Sequence, residues 1–351
     1  MATLGVALIG AGFAGGIHAQ AWSAVDGVRI ALVVEPDEAA GRAVAARHAS
    51  DWAPDLVAAL DRADVDVVDV CAPTGLHAEI TAAAATAGKH VLCEKPLALD
   101  LDEADRAIEA CAEAGVTFMV GHVLRFWPEY VELGRLVREG SLGALRAISC
   151  SRLVQPPDWT ADDWVVDPSR SRGVAAEILI HDLDVLLWLV GRPRSLSACA
   201  FRDGEAWAHL QVLLRYRDGP LAVAEAGWDA PRVQPFAAGF RAVFDLGIVE
   251  YDSRRDPTLS VVADGGFVEI VREPASAAEG TEGGPWSFAA AGYLEEVQYF
   301  ADCVRNRLPC ERCPAEAARA ALELALATIA SAERGEEIPF EPNPRRTRPG
   351  V

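Results

Sequence analysis

The sequence has little of three features that would point to a particular environment: cysteine, basic charge and long apolar runs. Eight scattered cysteines in 351 residues are too sparse for the disulfide framework of a small secreted protein, so we expect reduced thiols. No apolar stretch approaches the roughly 20 residues that cross a bilayer, and the first eight residues lack the basic segment of a secretion signal. These absences predict a cytoplasmic location and argue against a membrane partner.

Acidic residues outnumber basic ones, with 52 Asp and Glu against 32 Lys and Arg and a formal net charge of −20. Such a surface repels the phosphates of nucleic acids and anionic lipids, so neither is an expected partner. Cys310 and Cys313 form a Cys-x-x-Cys pair, but no second pair and no nearby histidine accompany it, so we expect no metal site. A small molecule remains the expected partner, and the length predicts about two domains.

The chain opens with an apolar strand, Leu4–Ile9, followed at once by a glycine-rich turn and a helical pattern to about residue 25. In this Gly-x-Gly-x-x-Gly motif the first glycine permits the turn, the second admits a pyrophosphate, and the third lets helix pack on strand. The N–H groups at the start of the helix would face the phosphates. The motif predicts a dinucleotide site formed by Gly10, Gly12, Phe13, Ala14 and Gly15.

A second strand, Val28–Val34, ends in Glu35, about twenty residues after the glycine motif. A carboxylate there can accept hydrogen bonds from both adenosine-ribose hydroxyls and would repel a 2′-phosphate. Pro36 follows instead of an arginine or serine, so NAD is predicted in preference to NADP. The alternative is that Glu35 only complements a helix N-terminus ahead of Asp37 and Glu38.

Short apolar segments then alternate with helical patterns as far as residue 120. This alternation predicts a parallel, doubly wound sheet, in which ligands bind at the carboxyl ends of the strands. Two strands, residues 65–70 and 89–93, lead into segments that we expect at that edge. These segments contain the further predicted cofactor contacts Ala72, Pro73, Thr74, His77, Glu94 and Lys95. Two alternatives stay open: a surface histidine at position 77, and an ordinary exposed pair at positions 94 and 95.

The pattern changes after residue 124, so we predict a dinucleotide-binding Rossmann domain over residues 1–124 and a substrate-binding and oligomerisation domain over residues 125–351. Short strands with turn signals between residues 195 and 270 predict a large, mostly antiparallel sheet, and two helices close the chain. The second domain is therefore expected to be α+β. An irregular, proline-rich segment, residues 155–171, contains Trp159 and Trp164 and could cover a site.

An apolar helical pattern over residues 174–190 contains three polar residues on one stripe, Glu177, His181 and Asp184, at positions i, i+4 and i+7. A polar stripe is normally a solvated face. Here the flanking positions are apolar too, so the stripe would be a narrow polar seam in a mostly buried helix. Since burying carboxylates and imidazole is unfavourable unless they are paired or used, the pattern favours a functional role.

These features together resemble the Gfo/Idh/MocA oxidoreductases, the family of glucose–fructose oxidoreductase and inositol 2-dehydrogenase. The resemblance rests on the N-terminal fingerprint, the segment 94–96 with the sequence Glu-Lys-Pro, Phe126-Trp127-Pro128, and the helix containing Gly173, His181 and Asp184. It implies an N-terminal Rossmann domain and a second, α+β domain. It also implies a homodimer or homotetramer, because family members commonly associate through the open face of the second sheet.

The resemblance assigns catalytic roles to Lys95 and His181. Glu177 stands where family members usually have aspartate, and we group it with the catalytic residues. Arg172 stands where a second glycine is common, which suggests a reshaped pocket. Together with Arg125, Trp164 and Asp184, it forms our predicted set of substrate contacts.

The predicted chemistry is hydride transfer between a nicotinamide cofactor and a hydroxyl or ketone carbon of a sugar, glycoside or cyclitol. The hydroxyl proton must leave to a base, and a histidine suits this role near neutral pH. His181 is the predicted base, and the Lys95 ammonium would stabilise the developing alkoxide. Glu94 would contact a cofactor ribose or hold Lys95.

Three alternatives remain open at this point. An enzyme of this kind could oxidise a sugar only transiently, to permit elimination or glycosidic cleavage. A reductase acting on a ketone or an enol ether sugar would use the same residues in reverse. A non-catalytic regulator would bind NAD(H) without turnover.

Overall fold

The structure, a computed structural model, describes residues 3–157, 161–203, 206–263, 266–269 and 290–341. Its first sheet has six parallel strands in the order β3-β2-β1-β4-β5-β6. The strands are β1 (Leu4–Ile9), β2 (Val28–Val34), β3 (Asp51–Ala53), β4 (Val67–Val70), β5 (His90–Glu94) and β6 (Phe118–Gly121). The predicted doubly wound sheet is confirmed. The short edge strand β3 was not predicted, since three residues give no periodic signal.

Five helices connect these strands: α1 (Phe13–Ser23), α2 (Glu38–Arg47), α3 (Val57–Leu60), α4 (His77–Thr86) and α5 (Leu101–Ala114). Local sequence explains their ends. The side chains of Asp37 and Asp100 accept hydrogen bonds from backbone N–H groups at the starts of α2 and α5. Gly115 ends α5 in the left-handed conformation. Strands buried on both faces are the reason that this half reads as apolar runs.

The second sheet has nine strands in the order β14-β13-β12-β11-β7-β10-β9-β8-β15. Its strands are β7 (Leu145–Leu153), β8 (Ser195–Asp203), β9 (Ala206–Arg215), β10 (Leu221–Gly227), β11 (Ala237–Phe244), β12 (Gly247–Asp252), β13 (Leu259–Ala263), β14 (Gly266–Glu269) and β15 (Ile338–Pro339). Only β7 and β10 pair in parallel; the other seven pairings are antiparallel. The predicted mostly antiparallel sheet is therefore confirmed.

The remaining helices are α6 (Pro128–Glu139), α7 (Pro168–Ser171), α8 (Ile180–Val190), α9 (Ala290–Asn306) and α10 (Ala315–Arg334). The predicted helix over residues 174–190 is present, but its first part is a π-helical turn, Ala175–Leu179, that leads into α8. Such turns widen the helix locally and are frequent at functional sites. Glu177 lies in this turn and His181 in the first turn of α8.

The closing helices also complete the first sheet. Phe300 of α9 packs in the apolar cluster on one face, with Leu8 of β1 and Trp22 of α1. Leu322 of α10 packs on the opposite face, with Ile9 of β1. Within the described residues, no helix is long and apolar enough to cross a membrane.

Candidate functional site

The glycine-rich turn leaves open space in front of α1. Gly10 has φ +103°, and a Cβ there would lie 2.6 Å from the Cys71 carbonyl oxygen. A Cβ on Gly15 would lie 2.0 Å from the Gly10 carbonyl oxygen, so both positions need glycine. A Cβ on Gly12 would meet nothing within 4 Å. The first N–H groups of α1 therefore face an open cleft, as a pyrophosphate site requires.

Glu35 lies beside this turn. One carboxylate oxygen accepts a hydrogen bond from the Ala11 N–H at 2.9 Å, and the other accepts from the Asp37 N–H at 3.0 Å. The start of α2 is capped by Asp37 instead, which accepts from the N–H groups of Ala39 and Ala40. Glu35 thus has its carboxylate at the cleft rim and not in the α2 cap. The turn and this carboxylate fit a dinucleotide with a free ribose diol.

Two loops at the carboxyl edge of the sheet are joined by His77. Its ring nitrogens lie 2.7 Å from the carbonyl oxygens of Pro96 and Ala72, in the loops after β5 and β4. The residue is 2% exposed, so it is not a surface histidine, and burial lowers the pKa of its imidazole. Ala72, Pro73 and His77 all line the cleft.

Glu94 lines the cleft and also belongs to a buried charge network that the sequence did not reveal. The His18 ring lies between two carboxylates, with Nδ1 2.9 Å from Asp69 and Nε2 3.0 Å from Glu94. Burial opposes a charged imidazole, but the neighbouring groups, chiefly the Asp69 carboxylate, together raise the pKa of His18 well above its usual value. Burial likewise opposes ionisation of Glu94, but His18 and Lys95 together lower the pKa of this carboxyl. The second Glu94 oxygen accepts from the Lys95 N–H at 3.0 Å.

The His18 network also contains three side chains of types that can bind a metal ion. The ligand atoms of His18, Asp69 and Cys71 lie within 4.8 Å of one another. Both imidazole nitrogens lie at hydrogen-bond distance from carboxylates, which fits a protonated ring that donates from both nitrogens. Cys310 and Cys313 are buried free thiols.

Lys95 and Glu177 meet across the cleft from different elements. The Lys95 ammonium donates to the Glu177 carbonyl oxygen at 3.0 Å and lies 3.6 Å from its carboxylate Oε2. The Thr74 hydroxyl donates to Oε1 of the same carboxylate at 2.8 Å. Burial raises the pKa of Glu177 although Lys95 and Thr74 both oppose this. Thr74, predicted as a cofactor contact, thus also orients Glu177.

His181 lines the same cleft as Lys95 and Glu177. Its Nδ1 is buried and has no hydrogen-bond partner among the described residues. Burial lowers the pKa of the imidazole well below its ordinary value, and the positive charges of Lys95 and Arg152 act in the same direction. The ring is therefore neutral near pH 7 and able to accept a proton.

Three predicted substrate residues do not line the cleft. The guanidinium of Arg125 makes two 2.8 Å hydrogen bonds to Asp184, and both side chains are buried. Arg172 has φ +62° and donates to the Leu99 carbonyl oxygen at 3.0 Å. Trp164, the fourth predicted contact, does line the cleft, whereas Trp159 lies outside the described residues.

A single cleft of about 710 Å³ connects the glycine turn and Glu35 with Lys95, Glu177 and His181. It also contains residues that sequence reasoning missed: Arg152, Phe236 and Tyr293. The Arg152 guanidinium donates to the Asp182 carboxylate at 2.9 Å, and Asp182 directly follows His181 in the sequence. The available signal for this buried pair was an arginine at the position of β7 that continues the alternating buried series of Ile148 and Cys150.

Comparisons with known proteins match two separate family models to the two parts of the chain. Residues 4–122 match the model of the oxidoreductase family with an NAD-binding Rossmann fold, and residues 130–266 match the GFO/IDH/MocA C-terminal domain. The chain is 30% identical over 230 residues to inositol 2-dehydrogenase of Rhizobium meliloti, covering 63% of this chain and 68% of that protein.

Two further similar proteins differ in how much of this chain they match. The chain is 30% identical over 235 residues to 2,7-anhydro-N-acetylneuraminate hydratase of Mediterraneibacter gnavus, covering 65% of this chain but only 62% of that relative. A solved structure of levoglucosan dehydrogenase with NADH and levoglucosan superposes with a TM-score of 0.85. It covers 96% of this chain and 99% of that one at 22% identity, a likeness of fold.

Proposed function

Because the chain belongs to the Gfo/Idh/MocA family of oxidoreductases with an NAD-binding Rossmann fold, we propose that it transfers a hydride between a nicotinamide cofactor and a carbon of a sugar, glycoside or cyclitol. The observation that carries the proposal is one cleft that joins the glycine turn to Lys95, Glu177 and His181. The carbon would be a hydroxyl-bearing carbon in one direction and a ketone carbon in the other.

Cofactor binding would rest on the turn from Gly10 to Gly15 and on Glu35. The glycine positions admit a pyrophosphate at the start of α1. The Glu35 carboxylate would accept from the ribose hydroxyls and repel a 2′-phosphate, so we propose NAD in preference to NADP. When bound, the nicotinamide supplies the hydride acceptor or donor.

His181 would remove the hydroxyl proton during oxidation. A base must be unprotonated at the working pH, and burial together with Lys95 and Arg152 keeps the imidazole neutral. The same ring would return the proton to the oxygen during reduction.

Lys95 would stabilise the negative charge that develops on the substrate oxygen. Its ammonium is held on one side by the Glu177 carbonyl oxygen and faces the Glu177 carboxylate. Fixed charge placed where an alkoxide forms acts without reorganisation during the reaction. Glu177, oriented by Thr74, would keep the ammonium aimed at that oxygen.

A second candidate is transient oxidation followed by elimination or addition of water. The observation that favours it is the 30% identity to a relative named as a hydratase. This enzyme would regenerate its cofactor in each cycle, so it would convert substrate with no net accumulation of NADH.

Assembly of the protein would use the outer face of the second sheet. Leu221, Ile248 and Val262 are 59%, 38% and 43% exposed on β10, β12 and β13. We propose that a homodimer or homotetramer covers them, and light scattering on the purified protein tests this.

The test of the proposed activity is NADH formation from NAD, and then NADPH formation from NADP, against pyranoses, glycosides and cyclitols. Lys95→Met should lower turnover at least about a hundredfold. Lys89→Met is the matched control, because the Lys89 ammonium binds the carbonyl oxygens of Arg62 and Val65 away from the cleft. Substrate loss without reduced cofactor would favour the hydratase-like candidate, and unchanged turnover in Lys95→Met would overturn the proposal.

A further inference from the structure

Residues that follow β6 in the sequence line one part of the cleft, and this part has two chemically different surfaces. Its hydrogen-bonding groups include Lys95 and Glu177, which contact each other, and His181, which lines the same cleft. Most of the other described lining residues there are apolar or aromatic: Val123, Leu124, Trp127, Val154, Trp164, Val165, Ile178 and Phe236. We call these eight residues the apolar wall.

The arginines in this region add little unpaired charge to the apolar wall. The Arg152 guanidinium donates twice to Asp182, at 2.9 and 3.1 Å, and once to the Tyr130 hydroxyl at 3.1 Å. It also stacks near the ring of Phe236, with 5.9 Å from Cζ to the ring centroid. Its charge is therefore matched by Asp182 inside the protein. Arg170 is exposed at the cleft rim.

The apolar wall is built from separate elements that the second core supports. Trp164 belongs to the 3₁₀ helix Ala161–Val166, Ile178 to the π-helical turn, and Phe236 precedes β11. All three are half-buried and pack against the large cluster of the second sheet. Packing against this core fixes the three side chains, so little ordering cost would oppose binding to them.

A ligand with hydroxyls on every edge would fit this wall poorly. Each hydroxyl buried without a partner costs about 1–3 kcal/mol, and the apolar wall offers few partners. A ligand with hydroxyls at one end and an apolar ring at the other would satisfy both surfaces.

We propose that the substrate is a glycoside with an aromatic or similarly apolar aglycone. The sugar would place its reacting hydroxyl at Lys95 and His181, and the aglycone would lie on Trp164, Ile178 and Phe236. This inference rests on the proposed hydride transfer and narrows its substrate class.

The test compares phenyl and methyl glycosides of the same sugar and anomer, so that only the aglycone changes, with myo-inositol alongside. Burying a phenyl ring should raise kcat/KM at least about tenfold over the methyl glycoside. Phe236→Ala should reduce the phenyl-to-methyl ratio. Phe201→Ala, a change of the same kind at a 62% exposed position on β8, should keep that ratio.

Calorimetric titration of the NADH-loaded protein with both glycosides gives a second measurement that needs no turnover. Tighter binding of the phenyl glycoside, with a more negative heat-capacity change, is expected. Turnover with a ratio near one, or with myo-inositol preferred, would overturn the aglycone inference while leaving hydride transfer intact. No turnover of any substrate would count against the proposed function, and the titration would then decide the aglycone inference alone.

Discussion

The buried ion pair of Arg125 and Asp184 allows a quantitative test of a residue that sequence reasoning assigned to the substrate. The side chains are 5% and 0% exposed and share two 2.8 Å hydrogen bonds. Removing one partner of such a pair leaves an uncompensated buried charge and typically costs 3–5 kcal/mol. Asp184→Asn should therefore lower the free energy of unfolding by about 4 kcal/mol.

Urea unfolding followed by tryptophan fluorescence measures this, because Trp188 lies 5.9 Å from the Arg125 guanidinium. The double variant Arg125→Met, Asp184→Leu should recover most of the loss, since a buried pair replaced by apolar side chains is often neutral. Additive losses in the double variant would refute the pairing argument. So would an Asp184→Asn protein of normal stability whose KM for substrate rises tenfold, because Asp184 would then be a substrate contact.

Three further predictions concern single side chains. Glu35→Ser should raise the KM for NAD about tenfold or more and improve use of NADP, since the carboxylate no longer repels the 2′-phosphate; steady-state kinetics with both cofactors checks this. Because the pKa of His181 in the folded protein lies well below 6.5, kcat/KM for oxidation should be constant near neutral pH and fall only below pH 6.5. A fall in kcat/KM that already begins above pH 6.5 would contradict the assignment of His181 as the base. The pKa of His18 is raised in the folded protein, so its contribution to folding stability is complete below pH 6.5 and is lost as pH rises through the folded value. His18→Asn should therefore lower the free energy of unfolding by about 3–5 kcal/mol at pH 6. A difference in stability from wild type that grows with pH would refute this.

The first sheet was predictable because each of its main strands is a short apolar run followed by a helix. Glu35 and Lys95 stand at strand ends, and parallel topology brings strand ends to one edge. Their place in one cleft therefore follows from element order, which a single sequence displays.

The partners of buried polar residues were not predictable in the same way. A helical stripe gives the direction of Asp184 but not its partner, and Arg125 lies 59 residues earlier. His18 and Asp69 each stand alone in an apolar segment, and their pairing depends on how α1 crosses β4. The π-helical turn that contains Glu177 has no compositional signal.

The most direct test of hydride transfer uses a substrate deuterated at the reacting carbon, identified first by turnover. Mass spectrometry of the reduced cofactor should show the deuterium in NADH for wild type. Lys95→Met should lose at least about a hundredfold in turnover while it still binds NADH. Unlabelled reduced cofactor, or label transfer that survives undiminished in Lys95→Met, would contradict the account.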